Sequence, residues 1–234
     1  LITTKKGTGE AGLPVITYDS YAALAFAKDR PEVLSPDEWR RSRRGNDYGY
    51  STDWYDLITR KTSYDTNQYL SIDGSLNNGG YYSASLNYKR ANGLDIVSKR
   101  EEFGGRAAVS ANALDSHLRI TATLNARKVK EDWGDNGMFD TALGMNPTLP
   151  VYNEDGTFYQ PTSPTDIKNP VQQLLVNTSQ GNRTYILGTA DVKYNIWNND
   201  KHSVSTTLSY SYNYNDLKSD YYTPSTSGES YWNG

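Results

Sequence analysis

Apolar and polar residues alternate without a break between Ser116 and Arg127. Leu118, Ile120, Ala122, Leu124 and Ala126 fall on one side, and His117, Arg119, Thr121, Thr123, Asn125 and Arg127 on the other. A period of two marks an extended strand whose faces meet different environments. The same pattern recurs at Val204, Thr206, Leu208, Tyr210, Tyr212 and Tyr214, set between Ser203, Ser205, Thr207, Ser209, Ser211 and Asn213. Weaker versions run through Leu70–Leu76, Tyr82–Tyr88, Phe103–Ala111 and Ile186–Ile196, and a less regular one through Leu13–Phe26. The sequence thus predicts seven strands and an all-β, antiparallel fold.

The predicted strands run about 10 to 15 residues. That exceeds the soluble norm of about 5 to 6 and reaches the 9 to 11 needed to cross a bilayer at a tilt. Their connections alternate in length. Tight turns rich in Asn, Asp or Gly fall at Asn77-Asn78-Gly79, Ala113-Leu114-Asp115 and Asn198-Asn199-Asp200. Long connections fall at residues 28–65, 91–99 and 131–182. Transmembrane barrels have this asymmetry, with short periplasmic turns and long external loops. In the first long loop, Ser35-Pro36-Asp37-Glu38 is a helix start, and Arg40, Arg41, Arg43 and Arg44 suit its C-terminal end.

Composition agrees with a barrel. Only 36% of the 234 residues are apolar, and 20 Tyr stand against 4 Phe, while mean hydropathy is −0.76. That is poor material for a dense soluble core. A barrel needs apolar side chains on one strand face only, with amphipathic aromatics at the membrane interfaces. No run approaches the roughly 20 apolar residues of a spanning helix, so a membrane form must be a barrel. A net charge of −3 with no basic block gives no sign of a nucleic-acid partner. With no Cys, disulfides, zinc clusters and thiol catalysis are excluded.

Few motifs suggest chemistry. Gly7-Thr8-Gly9-Glu10-Ala11-Gly12 matches G-x-G-x-x-G, but Pro14 and the β-type Val15-Ile16-Thr17-Tyr18 follow where a nucleotide site needs a helix N-terminus. It reads as a flexible linker. Asp132-Trp133-Gly134-Asp135-Asn136-Gly137 has oxygen ligands at loop spacing but lacks the ligand series of a calcium loop, and reads as a turn. His117 and His202 belong to no nucleophile or metal motif. No enzyme activity, cofactor or metal is expected. Trp54 and Trp133, beside Asp53 and Asp132, suit either stacking on a sugar or peptide or anchoring at the interface. Tyr210, Tyr212 and Tyr214 suit an aromatic girdle near the outer end of their strand, or a ligand platform.

Three stretches together resemble the SusC-like TonB-dependent transporters. Leu1-Ile2-Thr3-Thr4-Lys5-Lys6-Gly7 is similar to the last strand of their plug. Asp53-Trp54, Leu70-Ser71-Ile72-Asp73-Gly74 and Tyr82-Ser83-Ala84-Ser85-Leu86-Asn87-Tyr88 are similar to their first hairpin, with Ser75 where a second Gly is usual. Asn146-Pro147-Thr148-Leu149-Pro150-Val151-Tyr152-Asn153-Glu154-Asp155-Gly156, followed by Asn169-Pro170-Val171, resembles an outer loop of the family. The resemblance implies a plugged barrel of about 22 strands, of which seven are present, so the chain is expected to be a fragment. Residues 1–7 would be the last plug strand, 8–12 a linker, and 13–234 the N-terminal part of the barrel.

The function so implied is energised import of a large nutrient, oligosaccharide or peptide, through the outer membrane. A TonB complex would act through the missing N-terminal part, and a SusD-like surface lipoprotein would be the partner, with membrane lipid around the barrel. Within residues 131–182, Tyr152, Phe158 and Tyr159 are the favoured contacts to substrate or lipoprotein; packing as a small core under the loop is the alternative. The rival from another class is a secreted or surface glycan-binding module, which would need two packed sheets.

Overall fold

The computed structural model describes residues 13–161, 168–199 and 201–228; the expected plug strand, the linker at 8–12, Pro164 and Asp200 lie outside them. The described strands are β1 (Val15–Ala25), β2 (Ser63–Ser75), β3 (Tyr81–Asn92), β4 (Lys99–Ala113), β5 (Leu118–Asp132), β6 (Thr178–Asn198) and β7 (Ser203–Tyr222). They form a single antiparallel sheet in chain order. The fold is therefore a meander of seven long strands, as the alternation predicts, and not the two packed sheets of the rival reading.

Register carries the alternation of each strand across the whole sheet. One rung joins Leu70, Leu86, Gly105, Ala126, Ile186 and Tyr214; the next joins Ile72, Ala84, Ala107, Leu124, Gly188 and Tyr212. Ala111, Ile120, Val192 and Leu208 form another rung of the same face. On the opposite face Ser71, Ser85, Arg106, Asn125, Leu187 and Asn213 align, and then Ser83, Ala108, Thr123, Thr189 and Ser211. Among these polar residues Thr123 and Thr189 hydrogen-bond at 2.6 Å and Ser110 with Thr121 at 3.1 Å. One face is thus apolar and exposed, while the other is polar and internally bonded.

From Leu118 to Ala126 the apolar stripe covers about 26 Å of strand at about 3.3 Å per residue, or roughly 20 Å of height at barrel tilt. The strands continue past it. β6 has 21 residues and β7 has 20, so their ends project beyond a bilayer. This explains why residues 178–182 read as loop although they belong to β6: beyond the apolar stripe the ladder persists and the alternation stops. It also relocates the three tyrosines. Tyr210, Tyr212 and Tyr214 face Ala190, Gly188 and Ile186, and β7 runs on to Tyr222. They run from the middle of the apolar stripe, at the Ala122 rung, to its loop-side end, at the Ala126 rung, and lie in the middle of their own strand.

All three long connections leave one end of the sheet and all three short turns the other. The turn at Gly79 takes φ 72°, and the β4–β5 turn holds Leu114, Asp115 and Ser116 at φ 49–70°. At the long-loop end the described residues form four helices, α1 (Pro36–Ser42), α2 (Trp54–Ile58), α3 (Gly137–Gly144) and α4 (Pro170–Val176). The predicted capping box is present at α1: Ser35 Oγ accepts the Glu38 N–H at 3.3 Å, and Glu38 Oε2 accepts the Ser35 N–H at 2.9 Å. The helix ends where Arg43 turns left-handed at φ 54°.

Candidate functional site

The principal buried cluster of the described residues is made by the loops. Trp54 and Ile58 from the first loop meet Ala142, Met145, Leu149, Val171 and Leu174 from the third, with Ile96 and Val97 of the second packed against them. The loops are also sewn together through backbone. Tyr50 N–H donates to the Thr148 carbonyl at 3.1 Å, and Thr52 N–H to that of Pro147 at 2.8 Å. Ile96 N–H reaches the Ile58 carbonyl at 3.0 Å, and Arg60 donates to the carbonyls of Asp95 and Ile96 at 2.8 and 2.6 Å. The result is a canopy built from three loops over one end of the sheet.

Trp54 sits inside this canopy, 2% exposed, with its indole Nε1 donating to the Asn146 carbonyl at 3.0 Å. This corrects its reading as a substrate contact or membrane anchor: the ring is a core residue that ties two loops. Its neighbour Asp53 caps α2, accepting the Asp56 N–H at 3.0 Å, and holds Arg30 through two oxygens at 2.5 and 2.7 Å. Burial pushes the Asp53 carboxyl up, but the Arg30 hydrogen bond, the Asp56 N–H and the Arg30 charge together hold it below the ordinary carboxylate value. Arg30, Asp53, Trp39 and Met145 help line a cleft of about 990 Å³ between the first loop and α3.

Phe158 and Tyr159 are partly buried against the same core, which favours the packing alternative for these two. Tyr152 is 49% exposed and lies beside Phe158, ring centroids 4.9 Å apart, across a two-residue bridge. The hairpin is fastened by Asn169, which is fully buried. Its Nδ2 donates to the Val151 and Tyr159 carbonyls, both at 3.0 Å, and its Oδ1 accepts the N–H groups of Val171 and Gln172 at 3.1 and 3.2 Å. One side chain thus caps α4 and holds the hairpin. The Asn-Pro pair is a helix-start signal that could have located α4 in the sequence.

Trp133 turns in over the polar face. A Cβ on Gly181 would come within 2.4 Å of its ring, so glycine is what lets the indole lie against β6. The ring stacks with Tyr221, centroids 6.1 Å apart and planes 28° apart. Beside the pair, Asp135, Asn136, Gln173, Asn177 and Ser179 line a hollow of about 540 Å³. Two aromatic faces flanked by amides and a carboxylate can stack on a ring and hydrogen-bond its polar groups. The suspected calcium loop is a turn: Asp132 pairs with Lys99 at 3.2 Å and Asp135 Oδ1 accepts the Gly137 N–H at 2.8 Å. Among the described residues no three His, Cys, Asp or Glu side chains group as a metal site. The arrangement can bind, and it presents no nucleophile activated by a base.

No family model matches the chain. It is 29% identical over 225 residues to the TonB-dependent receptor SusC of Bacteroides thetaiotaomicron, a match covering 83% of the chain and 22% of that protein. It is 28% identical to a TonB-dependent receptor of Formosa agariphila, covering 83% of the chain and 21% of the relative. The chain therefore spans about a fifth of the length of the curated relatives it matches. Among solved structures, the RagAB peptide importer in its closed-closed state aligns with 94% of the chain and 40% of its own, at TM-score 0.57 and 10% identity. Another structure of the RagAB peptide transporter aligns with 92% of the chain and 36% of its own, at TM-score 0.59 and 11% identity. At such identities the likeness speaks for the fold. Motifs, sequence relatives and fold agree: the chain is similar to SusC and other TonB-dependent receptors, and its sheet has the fold of part of an outer-membrane transporter barrel.

Proposed function

We propose that this chain forms the first barrel strands and external mouth of an outer-membrane receptor that imports a large nutrient, with energy supplied through TonB. In this reading residues 1–7 end the plug, residues 8–12 link it to the barrel, and the apolar sheet face meets lipid. The long-loop end lies outside the cell. The observation that carries the reading is the pairing of a one-sided apolar sheet with a built canopy at one end only. A strand connection needs only a few residues, yet the third loop carries two helices, a hairpin and a buried asparagine.

The cargo is an oligosaccharide or a peptide, and a SusD-like lipoprotein is the partner that covers the canopy. Similarity to SusC and to the peptide importer RagAB supports both parts of this proposal. Trp133 and Tyr221 face the lumen and are the substrate platform; Tyr152 is the exposed contact of the hairpin. The test is to replace Tyr152 to Gln160 with a Gly/Ser linker in the full-length receptor. Uptake or lipoprotein association should fall while barrel insertion stays normal. Unchanged uptake and association would make the hairpin a passive cover.

A further inference from the structure

The apolar face is not uniform. Where β4 crosses its centre, Gly105 leaves a notch beside Leu86, and around it Ile16, Leu70, Phe103, Leu124 and Ala126 line a groove of about 820 Å³. Its walls are almost wholly hydrocarbon. At its loop-side end stands Lys128, exposed, with Lys130 one rung further out. The Lys128 rung also carries Tyr88 and Phe103, aromatics of the kind that settle at the membrane interface.

The ionic neighbours of this rim are few. Glu101 lies between Arg90 and Lys130 on the same rung, and its carboxylate pairs with Arg90 at 3.7 Å. Neither Lys128 nor Lys130 forms an ion pair among the described residues. Two unpaired ammonium groups thus project from the lipid side of the sheet, directly beyond an apolar groove. Ordinary zwitterionic lipid would satisfy the groove but not the lysines.

We propose that this groove and its two lysines form a site for a phosphorylated lipid of the outer leaflet, with an acyl chain along Leu86, Gly105 and Leu124 and the phosphate at Lys128 and Lys130. The site rests on the membrane orientation proposed above. Gly105 is the element that shapes it: a side chain there would fill the notch, and even a Cβ would come within 3.2 Å of Leu86 and 3.3 Å of the Ser85 carbonyl. Charge supplies the selectivity and the notch supplies the fit. The lipid would be held longer than its neighbours and would follow the barrel through purification.

The full-length receptor, reconstituted in phosphatidylcholine vesicles containing a minor fraction of bisphosphorylated lipid A, tests this directly. After extraction, native mass spectrometry counts retained lipid A. The wild type should retain it over a dephosphorylated lipid A, and inorganic phosphate should not compete. Lys128→Glu with Lys130→Glu should lower retention by at least about tenfold, since each surface cation near anionic lipid contributes about 1 kcal/mol. Gly105→Leu should lower it with the lysines intact. Heat-modified gel mobility shows that each variant still forms a barrel. Equal retention of the two lipids, or retention indifferent to the lysine pair, overturns the proposal. Orientation is read separately, by labelling a cysteine placed at Asn153 on intact cells. Reversed labelling would sink the orientation without mimicking a loss of lipid binding.

Discussion

The sheet and the canopy solve opposite problems with one chain. In the sheet the large apolar side chains, such as Leu70, Leu86, Ile120, Leu124 and Leu208, are exposed, and the backbone ladder supplies the order. In the canopy, short helices with little intrinsic stability are held by Trp54, Ile58, Met145, Leu149 and Leu174, all buried. The sheet is thus built for a hydrocarbon solvent, and the canopy is a small water-soluble core raised on top of it. Damage should be separable: canopy changes should leave the barrel inserted, and sheet changes should act on insertion itself.

The largest effect is expected from Trp54→Ala. Removing a buried indole typically costs about 3 to 5 kcal/mol, and here also the hydrogen bond to Asn146. In the full-length receptor the third loop should become sensitive to protease from outside the cell while gel mobility still reports a folded barrel. Loss of insertion instead would mean that canopy and sheet fold as one unit, and the comparison would break.

Next in size is a pair of neighbours on β5. Ile120→Arg puts a cation on the lipid face, at about 2 to 4 kcal/mol near the midplane, and should lower the amount of assembled barrel. Thr121→Arg points to the polar face beside Ser110 and should be tolerated better. Equal loss at both positions would contradict the two-faced sheet.

How far each region could be read from the sequence follows from the same contrast. Alternation at Leu118–Ala126 is imposed by lipid on one side and water on the other, so it appears in the residue order and located every strand. It stopped being informative at residues 178–182, beyond the apolar stripe, and it could not show how far β7 continues past Tyr214. Canopy contacts join residues about a hundred apart, such as Thr52 with Leu149 and Asn146 with Asn46, and leave no periodic trace. Only local signals survived there, as at the Ser35–Glu38 box. Trp54 stands out in the sequence, but as a ligand contact or an interface anchor rather than a core residue, because a lone Trp beside an Asp in a polar loop looks the same whether it faces solvent or a core.

The smallest effect concerns pH. Asp53 is held below the ordinary carboxylate value by Arg30 and the Asp56 N–H against the pull of burial. A depressed carboxyl stabilises the fold fully above its unfolded value, about 3.9, and that contribution is lost as pH falls through the lower, folded value. Hydrogen exchange in residues 53–60 should therefore quicken as pH drops below about 4 beyond the intrinsic trend. Asp53→Asn should remove that added dependence. If the variant kept it, the Arg30–Asp53 pair would not be what fastens the start of α2.

The central claim is that the even-numbered face of β5 meets lipid and the odd-numbered face does not. The chain has no native Cys, so single cysteines can be placed at each position from Leu118 to Arg127 of the full-length receptor and spin-labelled in reconstituted membranes. Relaxation by oxygen, which concentrates in lipid, should peak at 118, 120, 122, 124 and 126. A water-soluble nickel chelate should reach none of these five. A flat oxygen profile, or chelate access at the even positions, would contradict the account.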